Sequence, residues 1–187
     1  MVRASLTDPS LCLFDLRDVE GGALPEPMKP YQTPMAEVVN WAHTYLCRPH
    51  PALGREGPVC PYTEVSLKRS LFWLTVHPGG SPKLEEAAAV VTRYMECFLE
   101  LEPVVGREAE YKTILILFPD LPAPAYADVI DALQIALKPQ FVSRGLMIGQ
   151  FHCACEEPGL WNRGLRPLRS PVPLLAIATW SIRTPRF

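Results

Sequence analysis

The stretch at positions 145–169 holds the residues whose types and spacing best suit chemistry, and His152 is its central candidate. If 145–152 forms a strand, His152 ends a largely apolar row on one face, at a junction with a loop where binding groups often lie. Gly149 lacks a side chain in mid-strand, which is typical of close approach by a ligand or another backbone. The residues that share the row with His152 are Leu146, Ile148 and Gln150. A histidine that is satisfied by a backbone carbonyl is the alternative interpretation.

The loop that follows carries arginines and a tryptophan. Guanidinium groups bind carboxylates or phosphates through two parallel hydrogen bonds, so Arg166 or Arg169 could hold the acidic groups of a ligand. Trp161 could add an apolar wall beside Ile148. The alternative is a solvated loop, in which arginines three residues apart need not converge.

Six cysteines raise the possibility of a structural zinc site. The run His-Cys-Ala-Cys at 152–155 sets thiolates beside an imidazole, and Cys47 and Cys60 could complete a set of four ligands. No Cys-x-x-Cys pair is present, however, and consecutive strand residues point to opposite faces. Cys60 could also be a single metal ligand or a buried thiol, and His77, which ends an earlier apolar run, is the reserve ligand.

Composition and motifs argue against several classes of protein. A formal net charge of -2 over 187 residues indicates neither nucleic acid nor an anionic membrane as partner. No run approaches the roughly 18 apolar residues of a transmembrane helix, and residues 1–15 lack the features of a signal peptide. We therefore expect a cytoplasmic protein with reduced cysteines. The motifs of serine hydrolases, zincins and dinucleotide-binding domains do not occur.

Apolar periodicity predicts an α+β fold, with a mixed, mostly antiparallel sheet of about four strands and about three helices packed on it. Residues 1–32, which are rich in glycine and proline, are expected to form an extended arm, and 33–187 a single domain. The predicted helices lie at about 33–46, 81–98 and 124–137, with the last ended by Lys138-Pro139. The predicted strands lie at 69–77, 111–118, 145–152 and 172–180.

Two stretches carry a family resemblance: RPHPALGREGPVCPY at 48–62 and FVSRGLMIGQFHCACEEPGLWNRGLRPLRSPVPLLAI at 141–177. They resemble a small bacterial domain family of unassigned function that is found near natural-product genes. More remotely, the layout is similar to the YqcI/YcgG family, which includes haem-dependent oxygenases. His152 falls where that family has an axial imidazole, although Cys153 stands here in place of its proline.

This resemblance implies a haem b protein that uses dioxygen or peroxide to N-oxygenate a small amine or guanidine in specialised biosynthesis, with an electron donor as a further partner. His152 would bind the iron, Arg166 or Arg169 the propionates, and Trp161, Ile148 and Gly149 would line the pocket. The alternatives are a non-catalytic haem- or metabolite-binding protein and a zinc-containing or partner protein of a biosynthetic complex. A homodimer is also expected, because twofold dimers are the commonest assemblies and 11–16 is an apolar stretch in need of a surface.

Overall fold

The computed structural model describes residues 3–5 and 8–180, and of Arg3 and Ala4 only the backbone. The α-helices of this part are α1 (Leu16–Glu20), α2 (Gln32–Trp41), α3 (Thr63–Lys68), α4 (Leu84–Glu100) and α5 (Ala132–Ser143). The strands are β1 (Arg3–Ala4), β2 (Cys12–Leu13), β3 (Phe72–Val76), β4 (Thr113–Leu117), β5 (Leu146–Phe151) and β6 (Leu174–Thr179). Among the helices described, none is long and apolar enough to cross a bilayer.

The main sheet has four strands in the order β3-β4-β6-β5. β3 and β4 run parallel, whereas β6 pairs antiparallel with both β4 and β5. The predicted α+β class, with a mixed and mostly antiparallel sheet, is therefore confirmed. The described residues form five α-helices rather than about three, because the short helices α1 and α3 lack a long apolar stripe that the sequence could reveal.

One face of the sheet packs against α4 and α5. Two glutamates in the first turn of α4 interact favourably with the positive end of the helix dipole. The buried side chains of this helix recur every three or four residues, as an amphipathic helix requires. They include Ala87, Val91, Tyr94, Met95 and Phe98. They share one core cluster with strand residues such as Ile114 and Ile177, which are fully buried.

The opposite face packs against α2 and the N-terminal segment, which form a second cluster around Leu74 and Leu115. α2 continues into one π-helical turn, Ala42–Leu46. Three residues of β5 and β6 on this face are small and only half-buried. They are Gly149, Ala176 and Ala178. This half of the face is therefore the part of the sheet that the helices cover least.

The N-terminal segment is not the extended arm that was predicted. Asp15 caps α1 through a reciprocal capping box with Asp18, in which each carboxylate accepts a backbone N–H of the other. Phe14 is fully buried and exchanges two backbone hydrogen bonds of 2.9 Å with Leu74. Leu11 and Leu13 are also buried within the chain, so this apolar stretch no longer favours a homodimer, which stays a prediction.

The predicted third helix also differs from the structure. Residues 123–131 form a short 3-10 turn and a π-helical segment, Ala127–Asp131, and α5 then continues to Ser143 instead of ending at Lys138. Pro139 removes one hydrogen bond to Ile135, four residues earlier. Both residues are exposed, so water can hydrate the carbonyl that proline leaves free. The sequence signal of Lys138-Pro139 was therefore misleading.

Candidate functional site

A cavity of about 750 Å³ lies against the sheet face that carries α2 and α3. Its volume is within the range of small-molecule sites, which is roughly 300–1,000 Å³. Residues of α2, α3, α5, the 3-10 segment Arg107–Tyr111 and the strands β3, β4, β5 and β6 line it. The cavity therefore joins elements that are far apart in the sequence.

The floor of the cavity consists of small side chains on neighbouring strands. Gly149 pairs with Ala176 across β5 and β6, and Ala178 pairs with Thr113 across β6 and β4. A Cβ atom on Gly149 would lie 3.2 Å from Cε2 of Phe151, tighter than an ordinary contact. The predicted role of Gly149 in a close approach therefore corresponds to its place on the cavity floor.

The walls are largely aromatic. The rings of Trp41 and Phe151 meet edge to face, with centroids 5.7 Å apart and planes inclined by 74°. The rings of Tyr62 and Tyr111 lie 6.0 Å apart with an angle of 49° between their planes. Trp180, which is 44% exposed, completes the aromatic lining. Such rings give a ligand a large apolar contact area in defined orientations.

Polar residues line the end of the cavity formed by α3, and three of them carry groups that could bind a ligand. Ser66 is 1% exposed, and its hydroxyl oxygen is buried without a hydrogen-bond partner among the described residues. Leaving such a group unsatisfied costs about 1–3 kcal/mol, so an unpaired buried hydroxyl in a cavity indicates a ligand-binding group. The second polar residue is Glu110, which is half-buried, and the third is Lys112.

Lys112 differs from the other two because backbone carbonyls already accept its protons. Its Nζ donates to the carbonyl oxygens of Phe98 at 2.8 Å and Pro103 at 3.1 Å, and also to that of Leu101. The ammonium also lies 4.4 Å from the centre of the Phe98 ring. This lysine therefore stabilises the end of α4.

His152 directly follows β5 but does not line the cavity. It is 2% exposed, and its Nε2 lies 3.0 Å from Oδ1 of Asp131, with the Tyr126 ring 5.2 Å away. Asp131 ends the π-helical segment, a distortion that is frequent at functional sites. The Nδ1 atom of His152 is buried without a partner in the described part of the chain. The pair therefore joins the end of β5 to the start of α5, with the histidine buried and the carboxylate partly exposed.

The two candidate arginines converge on a carboxylate of their own chain. Arg166 Nε lies 3.1 Å from Oε2 of Glu156, and Arg169 Nη2 lies 2.5 Å from Oε1. Hydrogen bonds from Arg166 and Arg169, in that order, lower the pKa of Glu156. Trp161 is 60% exposed and packs over Gly54. These residues order the surface loop and do not reach the cavity.

The predicted haem site is not assembled by these residues. Of the candidates, only Ile148, Gly149 and Cys60 line the cavity, whereas both histidines and both arginines lie elsewhere. His77 stacks on Phe118, with ring centres 5.1 Å apart. The residues therefore do not fit a haem in the predicted arrangement. Across residues 3–5 and 8–180, no group of three or more His, Cys, Asp or Glu side chains could hold a metal ion, so the zinc alternative gains no support either.

Sequence reasoning missed the polar end of the cavity. Ser66 lies on the helix that was not predicted, and Glu110 and Tyr111 precede a strand that was noted only for its apolar run. One signal was available: Lys112 and Thr113 are polar residues at the start of that run. It indicates a strand end, but it does not identify the helix that faces it.

Comparison with known proteins gives one match. A family model described as a domain of unknown function (DUF6875) matches residues 35–182, a span that includes the entire cavity lining. No curated protein and no solved structure matches the chain.

Proposed function

The chain belongs to the DUF6875 family of domains of unknown function, and we propose that it binds a small organic amine in the cavity on its sheet. The observation that carries the proposal is an aromatic cavity whose α3 end holds an unpartnered buried hydroxyl, that of Ser66. The apolar body of the ligand lies on the small residues of the floor. Its ammonium group lies at the α3 end.

The two tyrosines supply an aromatic surface for the cation. Tyr62 and Tyr111 are half-buried, and their inclined rings face each other across 6.0 Å. An ammonium within about 6 Å of a ring centre is attracted to the face of the ring, by about 0.5–1 kcal/mol at exposed sites and more where water is excluded. Aromatic lining of this kind favours a cation over an anion.

Glu110 supplies the opposite charge. It lines the cavity and makes no hydrogen bond or ion pair with the described residues. The nearby carboxylates of Glu64 and Glu108 are instead paired with Lys68 and Arg69. A carboxylate bound to an ammonium forms a charge-assisted hydrogen bond, which is roughly twice as strong as a neutral one. Glu110 is therefore available to a cationic ligand.

The Ser66 hydroxyl offers an acceptor to the same group. Its oxygen can accept a hydrogen bond, and an ammonium has three N–H donors and no acceptor. α3 packs against the segment Arg107–Tyr111, which brings Ser66 and Glu110 to the same end of the cavity. An anionic ligand is less well matched at this end, because carbonyl oxygens already accept the protons of Lys112. The other lysine of the lining, Lys138, belongs to α5 rather than to the α3 end, and no arginine of the described chain lines the cavity.

Haem-dependent oxygenation of such an amine stays a prediction. Of the three candidate iron ligands, Cys60 is the one that lines the cavity. If protein from haem-supplemented cells carries haem in this cavity, Cys60→Ala should remove the Soret band and His152→Ala should retain it. A band that is lost only in His152→Ala would support the ligand assignment made from the sequence.

A matched trio of ligands tests the proposal. Phenethylamine, propylbenzene and 3-phenylpropanoate have the same body and end in an ammonium, a methyl group or a carboxylate. Calorimetric titration at pH 7 should show that the amine binds most tightly, followed by the hydrocarbon and then the acid. Equal binding of all three would leave the cavity as an apolar site but refute the amine. Binding of none would count against the proposed function as a whole.

Variants locate the binding. Glu110→Gln should weaken the binding of phenethylamine by about tenfold, or ~1.4 kcal/mol, and leave the affinity for propylbenzene unchanged. Glu108→Gln removes a charge from the same segment outside the cavity and is the control. Ala178→Phe fills the floor and should abolish binding of both ligands, whereas Ala89→Phe, on the exposed side of α4, should not. Far-ultraviolet dichroism checks that each variant is folded.

A further inference from the structure

Two free cysteines lie on neighbouring, hydrogen-bonded segments beside the cavity, and we propose that Cys47 and Cys60 form a disulfide bond when the protein meets a peroxide. Cys60 lines the cavity, whereas Cys47 lies behind it at the end of the π-helical turn that follows α2. The pair is therefore a modification site next to the ligand-binding cavity.

The pairing follows from the contact between two short segments of backbone. Pro49 and Pro58 form an isolated antiparallel bridge. Cys47 and Cys60 lie two residues beyond it on its two sides, where the non-extended backbone of Cys47 (φ -83°, ψ 0°) has ended the pairing. The N–H of Cys60 donates to the carbonyl of Leu46 at 2.8 Å, which holds the two segments together at this level.

The spacing of the two segments suits a disulfide. The N–H of Val59 donates to the carbonyl of Arg48 at 2.9 Å, one residue from each cysteine. The carbonyl that accepts from Cys60 belongs to Leu46, the residue directly before Cys47. Backbone hydrogen bonds on these neighbouring residues place the Cα atoms of the two cysteines roughly 5–7 Å apart, comparable with the roughly 4.4–6.8 Å that disulfides span.

The surroundings of the two thiols differ. Both are half-buried and pack against the same core cluster. Burial, followed by the nearby Cys60, raises the pKa of the Cys47 thiol, which disfavours its thiolate. Cys60 lines the cavity and is the thiol that peroxide reaches first, so Cys47 is the one that resolves the product.

The reaction balances with hydrogen peroxide as the oxidant. The Cys60 thiolate attacks one peroxide oxygen, the O–O bond breaks, and the departing hydroxide takes up a proton to give water. The sulfur of Cys47 then attacks the Cys60 sulfenic acid, the S–O bond breaks, and a second water leaves with the thiol proton. Two thiols lose two electrons in total, and one peroxide is reduced to two waters.

The bond has two measurable consequences. It closes the loop 47–60, which should raise the melting temperature by about 5–10 °C. It also draws the sulfur of Cys60 from the cavity wall towards Cys47, so the oxidised protein should bind phenethylamine with a changed affinity. The first consequence does not depend on the proposed function.

Peptide mapping tests the inference. Purified protein is treated with a slight excess of hydrogen peroxide, the remaining thiols are blocked, and the protein is digested with trypsin without reduction. Arg55 lies between the two cysteines, so their peptides stay joined only through a disulfide. We expect this cross-linked pair to be the main product, 2 Da lighter than the two reduced peptides, and to disappear on reduction.

Two variants provide the comparison. Cys60→Ser should abolish the cross-link and the gain in melting temperature, whereas Cys153→Ser, which removes the exposed thiol, should retain both. The inference is overturned if peroxide oxidises only Cys153, if the main cross-link joins two molecules, or if the wild type gives no joined peptides. Mapping is done on the wild-type protein, so it does not depend on the folding of a variant.

Discussion

Replacing Ser66 with alanine should stabilise the free protein, although it removes a polar group that we place in the binding site. The hydroxyl of Ser66 is buried and has no hydrogen-bond partner among the described residues. Removing it relieves an unsatisfied group that costs about 1–3 kcal/mol. Alanine is also favoured over serine within α3, by about 0.5 kcal/mol. Lost packing around the oxygen offsets part of this, so we expect a net gain of about 1–2 kcal/mol.

Ser170 is the matched control because it is also a buried serine, but with a partner. It is 4% exposed, and its Oγ donates to the carbonyl oxygen of Val172 at 2.7 Å. Ser170→Ala should therefore destabilise the protein by about 1 kcal/mol, since it leaves that carbonyl without its donor. The two substitutions are chemically identical, but they should change the free energy of unfolding in opposite directions.

Urea unfolding followed by dichroism measures both free energies, and calorimetry with phenethylamine measures the effect on binding. Ser66→Ala should raise the melting temperature by about 2–4 °C or more and lower the affinity for phenethylamine several-fold. A stabilising substitution that impairs binding is typical of functional sites. If Ser66→Ala destabilises the protein as much as Ser170→Ala, the hydroxyl has a partner and the reasoning about the polar end is wrong.

Three further predictions concern the rest of the molecule. Gly54 has a φ of 78°, and a Cβ there would lie 2.9 Å from Cβ of Trp161. Gly57 has a φ of 90°, and the nearest atom to a Cβ there, Nη1 of Arg55, lies at an ordinary 3.7 Å. Gly54→Ala should therefore lower stability by more than Gly57→Ala, and equal urea midpoints would refute the close approach. Asp15→Ala should cost about 1 kcal/mol at pH 7. Burial opposes ionisation of Asp15, but hydrogen bonds from Arg17 and the backbone hold its pKa below 3.8. The difference in unfolding free energy between wild type and Asp15→Ala should therefore persist to pH 5 and shrink as the pH falls through that pKa. A constant difference in unfolding free energy down to pH 2 would count against this. Sedimentation at tens of micromolar tests the predicted homodimer, and a monomer there would refute it.

Much of the fold could be predicted because the signals were local. The fully buried strand β4 appears as a continuous apolar run, and the apolar stripe of α4 repeats every three or four residues. The short helices were missed because α1 and α3 depend on a cap or on tertiary packing rather than on periodicity.

The candidate site could be predicted only in part. Gly149 was recognised from its position in a strand, but the cavity exists because Ala176 and Ala178 are its neighbours across the sheet, and register is not visible in one sequence. The arginines were judged by their chemistry alone. Their partner, Glu156, lies in the same loop and binds both, which local reasoning did not anticipate.

Fluorine NMR of protein labelled with 5-fluorotryptophan shows directly whether an amine binds in the cavity on the sheet. The chain has four tryptophans: Trp41 and Trp180 line the cavity, whereas Trp73 lies in the core of the opposite face and Trp161 in the surface loop. Resonances assigned by single Trp→Phe variants are followed during a titration with phenethylamine. If the amine binds in the cavity, the signals of Trp41 and Trp180 should shift and saturate together, while the other two stay in place. Movement of the Trp161 signal alone, or of none of the four, would contradict it.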